Sequence, residues 1–243
     1  MHEQLWFTQL LNGLFHGPVT ALLRMLHIEP AFPGSPISNS AAMEVLVLLF
    51  LVGLFLLIRS RLSVEQPDGL QHITEMFVGF IGDQAHEIIG HGSEKYVGFL
   101  SALAFFILMC NLMGLVPGFE SPTAVPVVPL GCALCAFFYY HVQGFRRHGI
   151  SYLKHFAGPI WWLFFIMIPI EIISHLARVL SLSVRLYANM FAGDMVTFVF
   201  FSLVPIGVPV VFMGLHIGVA FLQAYIFVLL TMVYLSGAVA EEH

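Results

Sequence analysis

Charge is what this sequence has least of. Only 9% of its 243 residues are Asp, Glu, Lys or Arg, against 59% hydrophobic. Soluble domains carry about a quarter charged residues, so a water-soluble globule is excluded. Lys and Arg together number 9, too few to cover a phosphate backbone, which argues against a nucleic-acid partner. Three cysteines cannot build a disulfide framework. The opening MHEQLWFTQLL lacks the basic start and apolar run of a secretory leader, and it is not Arg- and Ser-rich like an organelle import sequence; neither is expected. There is no internal repeat and no low-complexity segment. Long apolar runs dominate instead, and they specify an all-α integral membrane protein built as one membrane unit.

The first run, 41–58, is broken only by Glu44. It just reaches across a hydrocarbon layer of roughly 30 Å. Residues 1–40 are read as a segment outside the membrane. Residues 63–94 have apolar positions at helical spacing but too many polar ones to span, so an amphipathic helix at the interface is expected. Two further spans follow at 96–116 and 124–145. The tracts 156–192 and 195–240 are each longer than one perpendicular crossing needs and should be steeply tilted, packing as a hairpin with a break near Gly193 and Asp194. Pro205 and Pro209 should disturb the start of the second tract. The sum is about five membrane helices plus one interfacial helix. Arg59, Arg61, Lys95, Arg146, Arg147 and Lys154 all fall on one side in this topology, and only Arg24 falls on the other. Cytoplasmic loops are the ones enriched in Lys and Arg, so the N-terminus is expected outside and the C-terminus in the cytoplasm.

Three motifs invite chemistry and do not support it. His86-Glu-Ile-Ile-Gly-His91 resembles a zinc-protease motif with one residue too many. On a helix its histidines point about 140° apart rather than to one face. Cys132 and Cys135 form a CxxC inside an apolar run with no second ligand pair, which fits small buried thiols better than a metal or redox site. No metal site and no cofactor is expected. Gly214 and Gly218 make a GxxxG, a common device for close helix approach, and His216 sits inside it.

The informative pattern is a polar stripe. Between Phe156 and Ala240 the only charged residues are Glu171, Arg178, Arg185 and Asp194. A charge at bilayer depth costs roughly 2.5–3.5 kcal/mol even on the most lenient scale, so such residues mark function or pairing. Glu171, His175, Arg178, Leu182, Arg185 and Asn189 follow one another at spacings of 4, 3, 4, 3 and 4. That is one helix face, drifting about 20° every seven residues. A second seam, His216, Ala220, Gln223, Phe227, Leu230 and Tyr234, repeats the same spacing. If the two seams face each other they enclose a polar path. Carboxylates and imidazoles along it can exchange protons, whereas the Arg185 guanidinium cannot. Arg185 also lacks an obvious partner: Glu171 is about 21 Å away along a helix axis and Asp194 about 13 Å. Either Glu44 reaches it or the partner lies on another polypeptide. The position of Glu44 near the outer end of its span favours the second.

These residues carry a resemblance. Segments 181–194 (SLSVRLYANMFAGD), 216–243 (HIGVAFLQAYIFVLLTMVYLSGAVAEEH) and 111–123 (NLMGLVPGFESPT) are similar to the signatures of subunit a of F-type ATP synthases, in the same order and spacing. The resemblance implies a non-catalytic stator subunit in a bacterial inner membrane, beside a rotating ring of subunit c and a peripheral stalk subunit b. It implies that Arg185 faces the ring carboxylate. It further implies that Asp194, His216 and Gln223 line a periplasmic entry, and that Glu171, with Ser174 and His175 nearby, lies on a cytoplasmic exit. Asn189 matches the family's Asn after the arginine. The sequence departs from the family's frequent residues at Asp194 (often Glu or His), Val179 (often Pro) and Tyr187-Ala188 (often Phe-Gly). The main alternative, a proton-coupled secondary transporter, calls for an inverted repeat and a midplane substrate site, and neither is visible. An intramembrane protease would need paired Asp or a Ser–His constellation on facing helices.

Overall fold

The computed structural model describes residues 5–25, 35–63, 68–116, 119–149, 152, 164–203 and 207–240. Seven α-helices and no strand occur among them: α1 Trp6–Met25, α2 Asn39–Ser60, α3 Gly69–Ile89, α4 Glu94–Met113, α5 Val127–His148, α6 Phe164–Leu203 and α7 Val208–Val239. A 3-10 turn at Pro122–Ala124 precedes α5. Among the described residues five helices are long and apolar enough to cross a membrane: α2, α4, α5, and the stretches Met167–Leu203 of α6 and Val210–Val239 of α7. α3 is not among them, in keeping with its polar content, and lies packed on α4 and α7.

The protein wears apolar residues on its outside. Leu48, Leu49, Phe50, Leu56 and Leu57 of α2, and Ile172, Ile173, Leu176, Leu180 and Val184 of α6, are all exposed. In water this surface would be unstable; in hydrocarbon it costs nothing, and the helix satisfies its own backbone groups. The core lies where α7 packs against α3, α4, α5 and α6, around Tyr96, Leu100, Ile107, Leu186, Met190, Met232 and Leu235, each at most 2% exposed. α2 leans on this bundle through Val47 and Leu51, which pack on Cys110 of α4.

The ends of the elements are tied together in two groups. At one end, the Ser236 hydroxyl of α7 donates to the Ile88 carbonyl of α3 at 2.9 Å; the basic last turn of α5, with Arg146 and Arg147, lies here too. At the other, Asn111 of α4 donates to the Ala220 carbonyl of α7 at 3.2 Å.

Two sequence expectations are corrected. The break foreseen near Gly193 and Asp194 does not exist, because α6 runs through both to Leu203. Glycine is needed there for space: a Cβ on Gly193 would sit 3.0 Å from the His216 ring. The helix direction changes later, where Gly207 with φ 92° starts α7, a backbone conformation that costs glycine little. The interruption expected from Pro205 and Pro209 is found: α6 ends at Leu203 and α7 begins at Val208, with Pro209 in its first turn, where its missing N–H is not needed; Pro205 itself lies outside the described residues. The 40 residues of α6 extend about 60 Å, twice the hydrocarbon thickness, so the helix must incline steeply to stay within it.

The second correction is α1, a helix inside the stretch read only as an outside segment. Gly13, Gly17 and the internal Pro18 make it a poor helix by propensity. It is held by tertiary contacts: Phe7 and Leu11 pack on Ala42 and Met43 of α2. Asn12 clasps the backbone of Ile37, donating to its carbonyl at 3.1 Å and accepting from its N–H at 3.0 Å. Losing both bonds in an Asn12→Leu variant should cost about 1–3 kcal/mol. Amide exchange in α1 should then accelerate about tenfold while α2 is unchanged, measured by hydrogen exchange on the solubilised protein.

Candidate functional site

α6 carries the expected seam, and its packing sorts the seam residues. The stripe His175, Val179, Leu182, Leu186 and Met190 is buried against the bundle. Glu171, Arg178, Arg185 and Asn189 are half-buried beside it, at the border with the exposed apolar face. The departure Val179 belongs to the packed stripe, and α6 passes it without interruption. The Arg185 guanidinium donates at 3.4 Å to the Ser181 hydroxyl one turn back on its own helix. Among the described residues no carboxylate lies within ion-pair distance of it. Arg185 is therefore a cation at the edge of an uncovered apolar face with no acid beside it among the described residues.

One acid–histidine pair lies beyond Arg185 in the direction of the C-terminal end of α6. Asp194 Oδ1 is 3.7 Å from Nδ1 of His216 on α7. His216 is buried and Asp194 is about a third open, at 3% and 31% of their side-chain areas. His216 Nε2 is buried with no hydrogen-bond partner among the described residues, so one ring nitrogen stays available. Gly193 admits the ring. Gly114, at the end of α4, admits the carboxylate, since a Cβ there would lie 3.3 Å from Asp194 Oδ1 and 2.8 Å from Ser121 Cβ. Gln223, buried, lies on the same face of α7 two turns beyond His216.

A second pair lies in the opposite direction. Glu171 Oε1 is 3.2 Å from His175 Nε2, one turn along α6. The other ring nitrogen, Nδ1, is 3.1 Å from the Tyr140 hydroxyl of α5. Arg178 stacks over the Tyr234 ring of α7 at 5.2 Å, so this charged residue is absorbed by the bundle where Arg185 is not. Ser174 is half-buried beside His175. From Glu171 to Asp194 is 23 residues, about 35 Å of helix axis, with Arg185 between. The seams of α6 and α7 thus meet at both ends, Asp194 with His216 and Arg178 with Tyr234.

The geometry of the near-miss motif also differs from the expectation. α3 ends at Ile89 and the chain turns at Gly90, with φ 86°, so His91 is off the helix. Its ring comes to 5.8 Å from that of His86, yet no group of three potential metal ligands occurs among the described residues.

The chain is similar in sequence to known proteins. The family described as ATP synthase A chain matches residues 41–236. ATP synthase subunit a of Koribacter versatilis is 56% identical over the whole of both chains. That of Solibacter usitatus is 51% identical over 96% of this chain and 99% of its own. ATP synthase subunit a 1 of Syntrophotalea carbinolica is 46% identical over 82% of this chain and 84% of its own. The chain belongs to the ATP synthase subunit a family. It is accordingly a multi-pass membrane component of a proton-transporting ATP synthase.

Within this subunit a fold, a buried network that sequence reasoning did not single out braces the Asp194–His216 pair. Thr123 donates to Asn111 Oδ1 at 2.7 Å while Asn111 Nδ2 donates to the Ala220 carbonyl. Ser121 donates to the Cys110 carbonyl at 3.2 Å and lies 3.0 Å from the Thr123 hydroxyl. Ala220 is one turn past His216, so the network fixes α7 at the height of the imidazole. Tyr140, His141 and Tyr152 were missed as well. For Asn111, Tyr140 and His141 the available signal is a polar side chain inside an apolar run; Tyr152 lies in the polar stretch after α5 and carries no such signal. Asn111→Leu should destabilise the fold by about 0.6–2 kcal/mol, the range of interhelical hydrogen bonds in membranes. A lowered thermal midpoint of the solubilised protein checks this.

Proposed function

We propose that this chain is the proton-translocating stator subunit of an F-type ATP synthase, presenting two offset half-channels to the carboxylates of a rotating ring of subunit c, with Arg185 separating them. The observation that carries this reading is the Arg185 guanidinium: half-buried at the border of an uncovered apolar surface, with no acid beside it among the described residues, and flanked along one helix by two acid–histidine pairs. A moving carboxylate on a neighbouring chain supplies the missing counter-charge. Other subunits make the ATP, and no cofactor takes part; a peripheral stalk subunit b holds the stator.

In this reading Asp194, His216 and Gln223 form the periplasmic entry, while Glu171, Ser174 and His175 form the cytoplasmic exit, with Asn189 on the seam one turn from Arg185. The chain sits in a bacterial inner membrane with its N-terminus outside and its C-terminus inside. A ring carboxylate arriving at Arg185 is favoured in its ionised form by the adjacent cation, so it releases its proton towards Glu171. After passing the arginine it takes a new proton from the His216 side. Only the neutral carboxyl enters lipid at low cost, so the ring must turn nearly a full circle before the next release. The permanent cation also repels a proton attempting the direct crossing. Each proton descending the membrane potential releases about 2.3 kcal/mol per 100 mV, which the ring takes up as rotation.

Arg185→Lys should abolish coupled transport, because an ammonium differs from a guanidinium in hydration and donor geometry. ATP-driven proton pumping measured in inverted membrane vesicles decides this, and pumping retained in the variant refutes the mechanism. Asp194→Ala and His216→Ala should each slow pumping about tenfold or more in fully assembled complexes. If the complexes fail to assemble, the pair is structural. A cysteine at the exposed position Ala188 should crosslink to a small two-helix membrane protein carrying a carboxylate.

A further inference from the structure

His175 does not end the polar chain on the exit side. It uses both ring nitrogens, Nε2 towards Glu171 and Nδ1 towards the Tyr140 hydroxyl. The His141 ring lies 4.8 Å from the His175 ring, centre to centre. His141 Nδ1 is in turn 2.9 Å from the Tyr152 hydroxyl. Four side chains able to take and give a proton therefore run from α6 across α5 to Tyr152, past the point where Glu171 leaves the bundle. Tyr152 is only 5% exposed and is held in a notch: a Cβ on Gly144 would fall 2.6 Å from its ring, and 3.1 Å from the Ala238 carbonyl of α7. Among the described residues the groups facing this cluster are Glu171 and Arg178 from α6, Tyr140 from α5 and Tyr234 from α7. Arg178 is spread over the Tyr234 ring, so Glu171 is the only acid at the cluster among the described residues. The helix that carries Tyr140 and His141 ends in Arg146, Arg147 and His148, the basic end of the bundle.

We propose that His141 is a second relay histidine of the proton exit, receiving protons from His175 and passing them by way of Tyr152 towards the basic end of α5, in parallel with the Glu171 route. This rests on the proton-exit reading above. The balance is one proton in and one out. An imidazole that takes a proton on one nitrogen gives up the proton on the other, so His175 returns to neutral as His141 is loaded. His141 returns to neutral as Nδ1 hands its proton to the Tyr152 oxygen, whose own proton leaves to water. Tyr140 joins the two histidines: its hydroxyl takes the Nδ1 proton of His175, 3.1 Å away, and gives its own to His141, whose ring lies beside it at 4.5 Å.

The test uses the assembled synthase in membrane vesicles, reading passive proton conduction through the membrane sector after the catalytic head is stripped, and ATP-driven pumping before stripping. Glu171→Gln and His141→Phe should each leave a third or more of the conduction, and the double variant less than a tenth, the behaviour of two parallel routes. His141→Gln keeps a hydrogen bond to Tyr152 without the ability to relay, and it should lose as much as His141→Phe. If His141→Gln conducts fully, the side chain is only a packing and hydrogen-bonding partner and the proposal falls. It also falls if the double variant matches Glu171→Gln alone. Arg185→Lys in the same vesicles separates the two readings: pumping retained there overturns the stator mechanism, whereas its loss, with unaffected His141 variants, overturns only the second relay.

Discussion

An arginine in a membrane must have its charge compensated or hydrated, and among the described residues Arg185 has neither an acid beside it nor a place in the packed core. Arg178, seven residues earlier on the same helix, meets that demand within the fold by lying over Tyr234. Among the described residues Arg185 has the weak hydroxyl contact one turn back and no acid. The contrast between two arginines on one seam is the constraint from which the proposed function follows. A cation placed at the border of an apolar face makes sense when its counter-ion comes and goes.

The rest of the fold holds that cation at a fixed height between two acid–histidine pairs. α6 serves as a ruler whose length sets the separation, and α7 supplies the buried imidazole at one end and the aromatic seat for Arg178 at the other. Close approach at these points depends on missing side chains. Gly193 makes room for His216, Gly114 for Asp194, and Gly144 for Tyr152. The Asn111–Thr123–Ser121 network locks the end of α4 to α7, so the half-open carboxylate of Asp194 faces an imidazole that cannot drift. The departure at Asp194 from the family's frequent Glu or His leaves an acid–histidine pair at 3.7 Å.

The outer surface follows the same physics with the sign of the solvent reversed. Leucine and isoleucine faces of α2 and α6 are uncovered, while Asn111, Thr123, Thr231 and Gln223 are buried. In hydrocarbon no polar group can be left to the solvent, so polar residues turn inward and tie helices together. α1 shows the complementary case: weak in helix propensity, it is held by one asparagine clasp and two apolar contacts.

Composition and periodicity by themselves determined the class of solvent, the five crossing segments, the helical seam with Arg185 in it and the absence of a nearby acid in sequence, because all of these are properties of one helix or of counts along the chain. Which residues meet across helices was decided only by the tertiary structure. Gly193-Asp194 reads as a break in one dimension, yet α6 continues because the glycine gives its space to a ring on another helix. α1 is unreadable from propensity because its support comes from α2. The pairing of His175 with Tyr140, and of His141 with Tyr152, joins residues 35 and 11 apart in the chain. No spacing rule links them, since their proximity depends on how α5 and α6 cross and on a notch at Gly144 that only a neighbouring ring reveals.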